Sequence, residues 1–228
     1  MRIHCLQSAE NEGPGVIADW AGGRGFSITT SHLYRGDPLP EGEVDLLVIM
    51  GGPMNIYQDR DYPWLKPTRQ FIKAHVDAGK SASGICLGSQ FLADALGGRV
   101  TQNPYREIGW FPVHFTPEAR AQLPVLPESI EAIHWHGDTF ELPAGAVRLG
   151  HSEACANQGF LYENRVLALQ FHPEMTRELA AALAEECRDE LQPGRFVQTG
   201  ETILSKPDGS FAATHELLRK LLDSLFLR

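Results

Sequence analysis

Cys86 stands between two glycines in the stretch Gly84-Ile85-Cys86-Leu87-Gly88, where an apolar run ends and a helical pattern begins. A sharp turn from strand to helix needs small neighbours, because its central residue is strained and the chain folds back close beside it. The turn would present the cysteine at a helix N-terminus, where free amides and the helix dipole favour a thiolate. The pattern predicts a nucleophile elbow, although a buried packing cysteine is the alternative that this motif alone leaves open.

A histidine and a carboxylate that could activate this thiol follow a second apolar run. His172 and Glu174 come directly after residues 165–171, which read as a central strand. Functional side chains gather beyond the carboxyl ends of parallel strands. Pro173 restrains the backbone, so that the carboxylate can be aimed at the imidazole, fix its tautomer and support its positive charge. The spacing predicts a Cys86-His172-Glu174 triad. A lone histidine at a strand end would more simply be structural.

Backbone amides for an oxyanion could come from a third strand end. Residues 44–50 read as a buried strand, and Gly51 and Gly52 follow it without side chains. Their N–H groups can therefore point into the crevice beside the nucleophile. We predict that the amides of Gly52 and Leu87 form the oxyanion hole. Gly-Gly-Pro is also an ordinary strand-ending turn.

The elements that must position these groups alternate between short apolar runs and helical patterns. This order predicts an α/β fold with a doubly wound, mostly parallel sheet, helices on both faces and a small set of antiparallel strands at 109–149. Further helices follow after about residue 175, and one single domain spans 1–228. The leucine stripe at 217–225 is interpreted as core, with a homodimer face as the alternative. Residues 192–210 read as a mobile loop.

Composition limits the classes of function. The 228 residues include 20 Lys+Arg and 29 Asp+Glu, a net charge of -9 that argues against nucleic acid and anionic membranes as partners. Four cysteines without CxxC spacing suggest neither a disulfide framework nor a cysteine-rich zinc site. With no long apolar run after the N-terminus, we expect a cytoplasmic protein.

Three segments in this order, Gly51-Gly52-Pro53, 84–90 and 171–174, resemble the class I glutamine amidotransferase domain. This triad-type glutaminase unit occurs in GMP synthetase, carbamoyl-phosphate synthetase and anthranilate synthase. The resemblance extends over roughly the first 175 residues. It implies a doubly wound α/β fold of flavodoxin-like type and hydrolysis of the glutamine side-chain amide. Cys86 would attack the amide carbon, His172 would protonate the leaving ammonia, and water would release glutamate from a γ-glutamyl thioester.

The same resemblance implies a set of substrate-binding residues, which are Gly51, Gln90, His136, Gly137 and Asp138. His134 and His136 could instead bind a metal, because alternate strand residues share a face. No third ligand is apparent in the sequence, so we expect neither a metal nor a cofactor.

The residues after Gly52 and Pro53 are Met54 to Tyr57, which resemble the free-standing, GMP-synthetase-like amidotransferases more than the biosynthetic enzyme. Nothing after Glu174 resembles a nucleotide-activating loop. The ammonia would then go to a separate synthetase subunit. Two alternatives stay open at this point. One is a γ-glutamyl hydrolase acting on amine or peptide conjugates, and the other is a partner-gated regulatory subunit with no activity alone.

Overall fold

Nine strands form one continuous sheet in the computed structural model, which describes residues 1–227. Their order across the sheet is β2-β1-β3-β4-β9-β8-β7-β5-β6, with parallel pairing from β2 to β9 and antiparallel pairing from β9 to β6. The strands are β1 Arg2–Gln7, β2 Ser27–His32, β3 Leu46–Ile49, β4 Ser81–Ile85, β5 Val100–Phe115, β6 Ser129–Phe140, β7 Val147–His151, β8 Gly159–Tyr162 and β9 Val166–Leu169. The helices are α1 Val16–Gly23, α2 Leu65–Asp77, α3 Leu87–Ala95, α4 Pro117–Gln122, α5 Arg177–Glu186, α6 Gly200–Leu204 and α7 Asp208–Phe226.

The central strand β3 shows why both faces of the sheet are covered. All four of its residues are buried, and successive side chains point to opposite faces. Leu46 and Val48 pack into a core that contains residues of α1, α4 and α7. Leu47 and Ile49 pack into a second core, with residues of α2 and α3. Helices therefore cover both faces, and the predicted α/β fold is confirmed.

The leucine stripe of α7 belongs to the first core. All five leucines between 217 and 225 are at most 5% exposed, so the core interpretation of this stripe is confirmed. Trp20 of α1 donates a hydrogen bond from Nε1 to Asp223 Oδ1 over 2.7 Å, which fixes α1 against α7. Each fully buried leucine contributes up to about 2–3 kcal/mol of transfer free energy, as an upper estimate.

The antiparallel part of the sheet is larger than the sequence suggested. β5 has 16 residues and β6 has 12, whereas the prediction began β5 only at Gly109. β5 starts at Val100 and continues through Pro104, with a register shift between Gln102 and Glu107 where the proline lies. A proline is tolerated at such an irregularity, because no ladder hydrogen bond is needed from it.

The chain after Glu174 packs on this antiparallel part. Buried residues of α5, α6 and α7 form a third core with the two tryptophans of β5 and β6, Trp110 and Trp135. The stretch interpreted as a mobile loop is instead attached to β5. Gln198 bonds both the N–H and the carbonyl of Trp110, at 3.0 Å each, and the N–H of Ile108 donates to the Phe196 carbonyl over 2.8 Å. No helix within residues 1–227 is long and apolar enough to cross a membrane.

Candidate active site

The turn at Cys86 has the strained geometry that its two glycines predict. Cys86 lies between β4 and α3 with φ of 51°, in the left-handed region that residues with a Cβ rarely adopt. A Cβ at Gly84 would collide with the Gly88 carbonyl, and one at Gly88 would collide with the Ile49 carbonyl. The glycines therefore allow α3 to begin directly against the sheet. The predicted sharp turn from strand to helix is confirmed, and the role of Cys86 as the nucleophile stays a prediction.

The three residues of the predicted triad meet because their strands are neighbours. β4 pairs with β9, and the Cys86 N–H donates to the Leu169 carbonyl over 2.8 Å. The chain continues from β9 to His172, whose N–H donates to the Ile133 carbonyl over 2.8 Å. His172 Nδ1 lies 2.8 Å from Glu174 Oε1, and both side chains are almost fully buried. The imidazole of His172 also lies close enough to the Cys86 thiol for each group to shift the pKa of the other.

Burial and nearby charges have opposite effects on the pKa values of Cys86 and His172. Burial raises the pKa of the Cys86 thiol, although the adjacent His172 acts to lower it. This direction is opposite to the thiolate that we expected the helix N-terminus to favour. Burial alone would lower the pKa of His172, but Glu174 and Cys86 together raise it well above its ordinary value. Once His172 has taken the proton of the thiol, Glu174 and the thiolate therefore stabilise it as an imidazolium.

The two amides predicted as an oxyanion hole belong to residues that contact each other, and neither amide is used in a hydrogen bond. Gly52 packs against Leu87, because a Cβ at Gly52 would lie 2.9 Å from Leu87 Cδ2. Neither the Gly52 nor the Leu87 N–H donates a hydrogen bond to any atom of residues 1–227. A free amide at the first position of a helix is available to a ligand oxygen. Gly52 and Leu87 line the same pocket as Cys86, so their amides remain the predicted donors to an oxyanion there.

One pocket opens onto Cys86 and gathers most of the predicted site. Its walls include Gly52, Leu87, Gln90 and three successive residues of β6, His136, Gly137 and Asp138. Gly51, His172 and Glu174 are not on its wall. Gly51 lies against the imidazole, since a Cβ there would be 3.4 Å from His172 Cε1.

Several residues at the site were not singled out in the sequence. Gln170 Nε2 lies 3.6 Å from the Cys86 sulfur, and Gln170 Oε1 accepts a hydrogen bond from Gln90 over 3.2 Å. The thiol itself donates to the Trp135 carbonyl at 3.5 Å. Gln170 could have been noticed as the polar residue in an apolar strand end. Five further pocket residues come from distant segments of the chain: Glu12, Arg106, Leu183, Cys187 and Glu190.

Glu107 joins the two histidines of β6 in a buried cluster. Its Oε2 lies 3.0 Å from His136 Nε2, 3.4 Å from His134 Nδ1 and 2.7 Å from Gln158 Nε2. Burial lowers the pKa of His134 to about 4, so this imidazole is neutral. The ligand atoms lie within 4.8 Å of one another, and this geometry could hold a metal ion. Glu107 is thus the third candidate ligand, which was not apparent in the sequence. The absence of a metal stays a prediction.

Comparison with known proteins identifies the class to which this fold and site belong. Residues 25–186 match the family model "Glutamine amidotransferase class-I". The chain belongs to the class I glutamine amidotransferase family, as the resemblance predicted.

Individual relatives agree with this assignment, and three of the four described here cover at least 98% of the chain. The glutamine amidotransferase-like protein YfeJ of Salmonella typhimurium is 32% identical over 235 residues, which cover 100% of this chain and 98% of that protein. A GMP synthase (glutamine-hydrolysing) of Vibrio vulnificus is 30% identical, but the match covers 58% of this chain and 24% of the synthase. The crystal structure of a glutamine amidotransferase from Methylobacillus flagellatus has a TM-score of 0.91 and 30% identity, covering 98% of this chain and 93% of that one. One from Thermotoga maritima has a TM-score of 0.90 and 31% identity, covering 100% and 99%.

Proposed function

We propose that this protein hydrolyses the side-chain amide of L-glutamine, or of a related γ-glutamyl amide, through Cys86, His172 and Glu174. The observation that carries the proposal is the 2.8 Å contact of His172 Nδ1 with Glu174 Oε1, beside a thiol held at positive φ over an open pocket. Nucleophile, base and orienting carboxylate in this order are the parts of a triad. The GMP synthases that match the chain are named as glutamine-hydrolysing, which makes glutamine the first substrate to test.

The reaction divides into two proton-balanced steps. The Cys86 sulfur attacks the amide carbon while His172 takes the thiol proton and passes it to the leaving nitrogen. The carbon–nitrogen bond breaks, ammonia departs and a γ-glutamyl thioester remains. His172 then takes a proton from water, the resulting hydroxide attacks the thioester, and the proton returns to sulfur as glutamate leaves. In both steps the Gly52 and Leu87 amides would stabilise the oxyanion, a contribution worth about 10²–10³-fold per donor.

The size and lining of the pocket bear on which leaving groups it can accept. Besides Cys86, the lining includes Leu183 and Cys187 of the α5 region, and a cavity of about 260 Å³ has space for more than ammonia. This favours γ-glutamyl amine conjugates as a second class of substrate. It also supports the proposal that the chain acts as one domain, because the segment after Glu174 contributes to the pocket.

Release of ammonia and glutamate from L-glutamine tests the proposal, with Cys86→Ser as the inactive variant. We expect turnover in the wild type and its loss in Cys86→Ser, because a hydroxyl is a much poorer nucleophile than a thiol in this setting. Cys155→Ser is the matched control, since Cys155 is buried outside the catalytic pocket and contacts Thr139 Oγ1 at 3.2 Å. Equal turnover in Cys86→Ser and the wild type would contradict the proposal.

A separate acceptor subunit for the ammonia stays a proposal that rests on the family. If such a subunit gates the enzyme, glutamine should protect Cys86 from alkylation even where the isolated chain is slow. Added acceptor protein should then raise the rate of glutamate release. Homodimer formation is likewise a proposal, and sedimentation of the purified chain tests it.

A further inference from the structure

Glu12 lies in the catalytic pocket, and the reaction as written does not use it. It belongs to the loop between β1 and α1, and its side chain forms part of the pocket wall. A Cβ at Gly51 would collide with Glu12 Oε2 and would also touch His172 Cε1. Only a glycine at position 51 therefore leaves room for a carboxylate beside the catalytic imidazole.

Hydrogen bonds on both sides of Glu12 fix the loop that carries it. Gln7 Nε2 donates to the carbonyls of Ala9 and Glu10, at 2.8 and 3.0 Å. Asn11 Nδ2 donates to Glu186 Oε2 of α5 over 2.8 Å. Beyond Glu12 the chain packs against the triad, because a Cβ at Gly15 would collide with the Glu174 carbonyl. The carboxylate is thus held towards the pocket by contacts before and after it.

The carboxylate of Glu12 has no hydrogen-bonding partner among residues 1–227, and burial raises its pKa to about 7. Glu190, on the same pocket wall, differs in this respect. Its Oε2 accepts a hydrogen bond from Trp135 Nε1 over 3.2 Å, and its Oε1 lies 3.6 Å from Arg106 Nη1. A partly buried carboxylate without a partner is costly, and a cationic ligand would remove that cost. Glu12 is therefore an acidic group of this pocket that is available to a ligand.

The position of Glu12 beside His172 indicates which part of a substrate it would meet. The leaving nitrogen must approach His172, because it receives its proton there. Apart from Gly51, the residues expected to hold the glutamyl part lie on α3 and β6, beside the segment after Gly52, where Asn55 Nδ2 donates to Asp138 Oδ2 over 2.6 Å. The pocket lining also includes the apolar side chain of Leu183, against which a short alkyl chain can pack, and Leu183 belongs to α5, the helix that Asn11 contacts through Glu186.

We propose that Glu12 is a specificity-determining residue that binds a second ammonium group on the leaving amine, so that γ-glutamyl diamines are preferred substrates. This inference rests on the proposed function. An alkyl linker contacts Leu183, and its terminal ammonium donates to the Glu12 carboxylate. The reaction stays balanced as before, with the diamine departing in place of ammonia. The net charge of -9 adds a field that attracts such cations.

The test compares substrates that differ only in the second charge. The γ-glutamyl amide of trimethylenediamine is paired with that of n-butylamine, in which a methyl group replaces the second ammonium. Amides of ethylenediamine and tetramethylenediamine then vary the linker length. A charge-assisted hydrogen bond in a desolvated site corresponds to about tenfold or more in kcat/KM. We expect the wild type to prefer the diamine amide to its neutral partner by at least about tenfold.

Glu12→Gln should reduce this preference to about one, because the amide keeps the shape of the side chain and removes its charge. Glu10→Gln is the matched control, since Glu10 lies in the same loop but points to solvent and pairs with Arg35. It should keep the wild-type preference. A wild type without preference, or a Glu12→Gln variant that slows both amides by the same factor, would overturn the inference.

Binding separates this inference from the proposed catalytic function. In a Cys86→Ala background, which cannot form a thioester, calorimetry measures affinity for the trimethylenediamine amide directly. Glu12→Gln should weaken that affinity about tenfold and leave the affinity for the n-butylamine amide unchanged. Failure of the wild type to hydrolyse any amide would contradict the proposed function, whereas equal affinities of the two Glu12 forms for the diamine amide would contradict the role of Glu12 alone.

Discussion

Replacing Glu12 with glutamine should stabilise the free protein at neutral and alkaline pH. The folded protein holds the pKa of this carboxyl at about 7, against an ordinary value of 4.5, because burial disfavours the charged form. Below pH 4.5 the folded and unfolded states both carry the proton, so Glu12 and glutamine behave alike. Between pH 4.5 and 7 only the unfolded state ionises, and the wild-type free energy of unfolding falls. Above pH 7 the full cost of the buried charge applies.

The size of the effect follows from the same two values. A rise from 4.5 to about 7 corresponds to about 3 kcal/mol once both states are ionised. Water in the open pocket reduces this cost, so we expect Glu12→Gln to gain about 1–3 kcal/mol over the wild type at pH 8. The gain should shrink steadily towards pH 5. Glutamine occupies the same volume, so changes in packing contribute little.

Urea unfolding of the wild type and of Glu12→Gln, at intervals from pH 5 to pH 8, measures this difference. Glu10→Gln serves as the control, because its exposed carboxylate should give no comparable trend. A difference between the wild type and Glu12→Gln that is the same at pH 5 and pH 8 would refute the reasoning. It would mean that the Glu12 carboxylate is solvated or already paired, and the basis for an ammonium-binding role would be lost.

Three further substitutions test other parts of the site. Glu174→Gln should lower kcat about 10²–10⁴-fold with little change in KM, because His172 loses the charge that supports its imidazolium. Steady-state kinetics with glutamine measure both constants. Gly88→Ala should lower the free energy of unfolding by about 3 kcal/mol or more, since the new Cβ meets the backbone carbonyl of Ile49, which cannot move aside. An unchanged midpoint in urea would contradict the close packing of the turn at Cys86. Glu107→Gln should cost about 1–3 kcal/mol, because buried His136 and Gln158 lose the carboxylate oxygen that both of them contact. A normal unfolding midpoint in that variant would indicate that these contacts contribute little to stability.

The triad could be predicted from the sequence because its geometry depends on short, local patterns. Gly84 and Gly88 indicate the turn at Cys86, and His172 and Glu174 follow an apolar strand within a few residues. The rule that parallel strand ends share one edge of the sheet was then enough to bring them together. The structure agrees because β4 and β9 are direct neighbours.

The remaining parts of the pocket depend on long-range packing that no local pattern encodes. Glu107 reaches His136 only because β5 and β6 pair in a register that places these two residues opposite each other, beyond an irregularity at Pro104. Glu12 reaches His172 through a loop whose path is set by contacts to α5 and to Glu174. The stretch 192–210 is rich in turn-forming residues, yet Gln198 anchors it to β5. Turn composition predicted a mobile loop there. It could reveal neither this attachment nor the short helix α6, which lies within the stretch.

The most direct test of the catalytic proposal is rapid quenching of the wild type with L-glutamine, followed by intact-protein and peptide mass spectrometry. A covalent route through Cys86 predicts one γ-glutamyl group on the peptide that contains this residue, and no adduct in Cys86→Ala. Added hydroxylamine should intercept the thioester and yield γ-glutamyl hydroxamate. Glutamate release that continues in Cys86→Ala, or an adduct that maps to another residue, would contradict the assignment of Cys86 as the nucleophile.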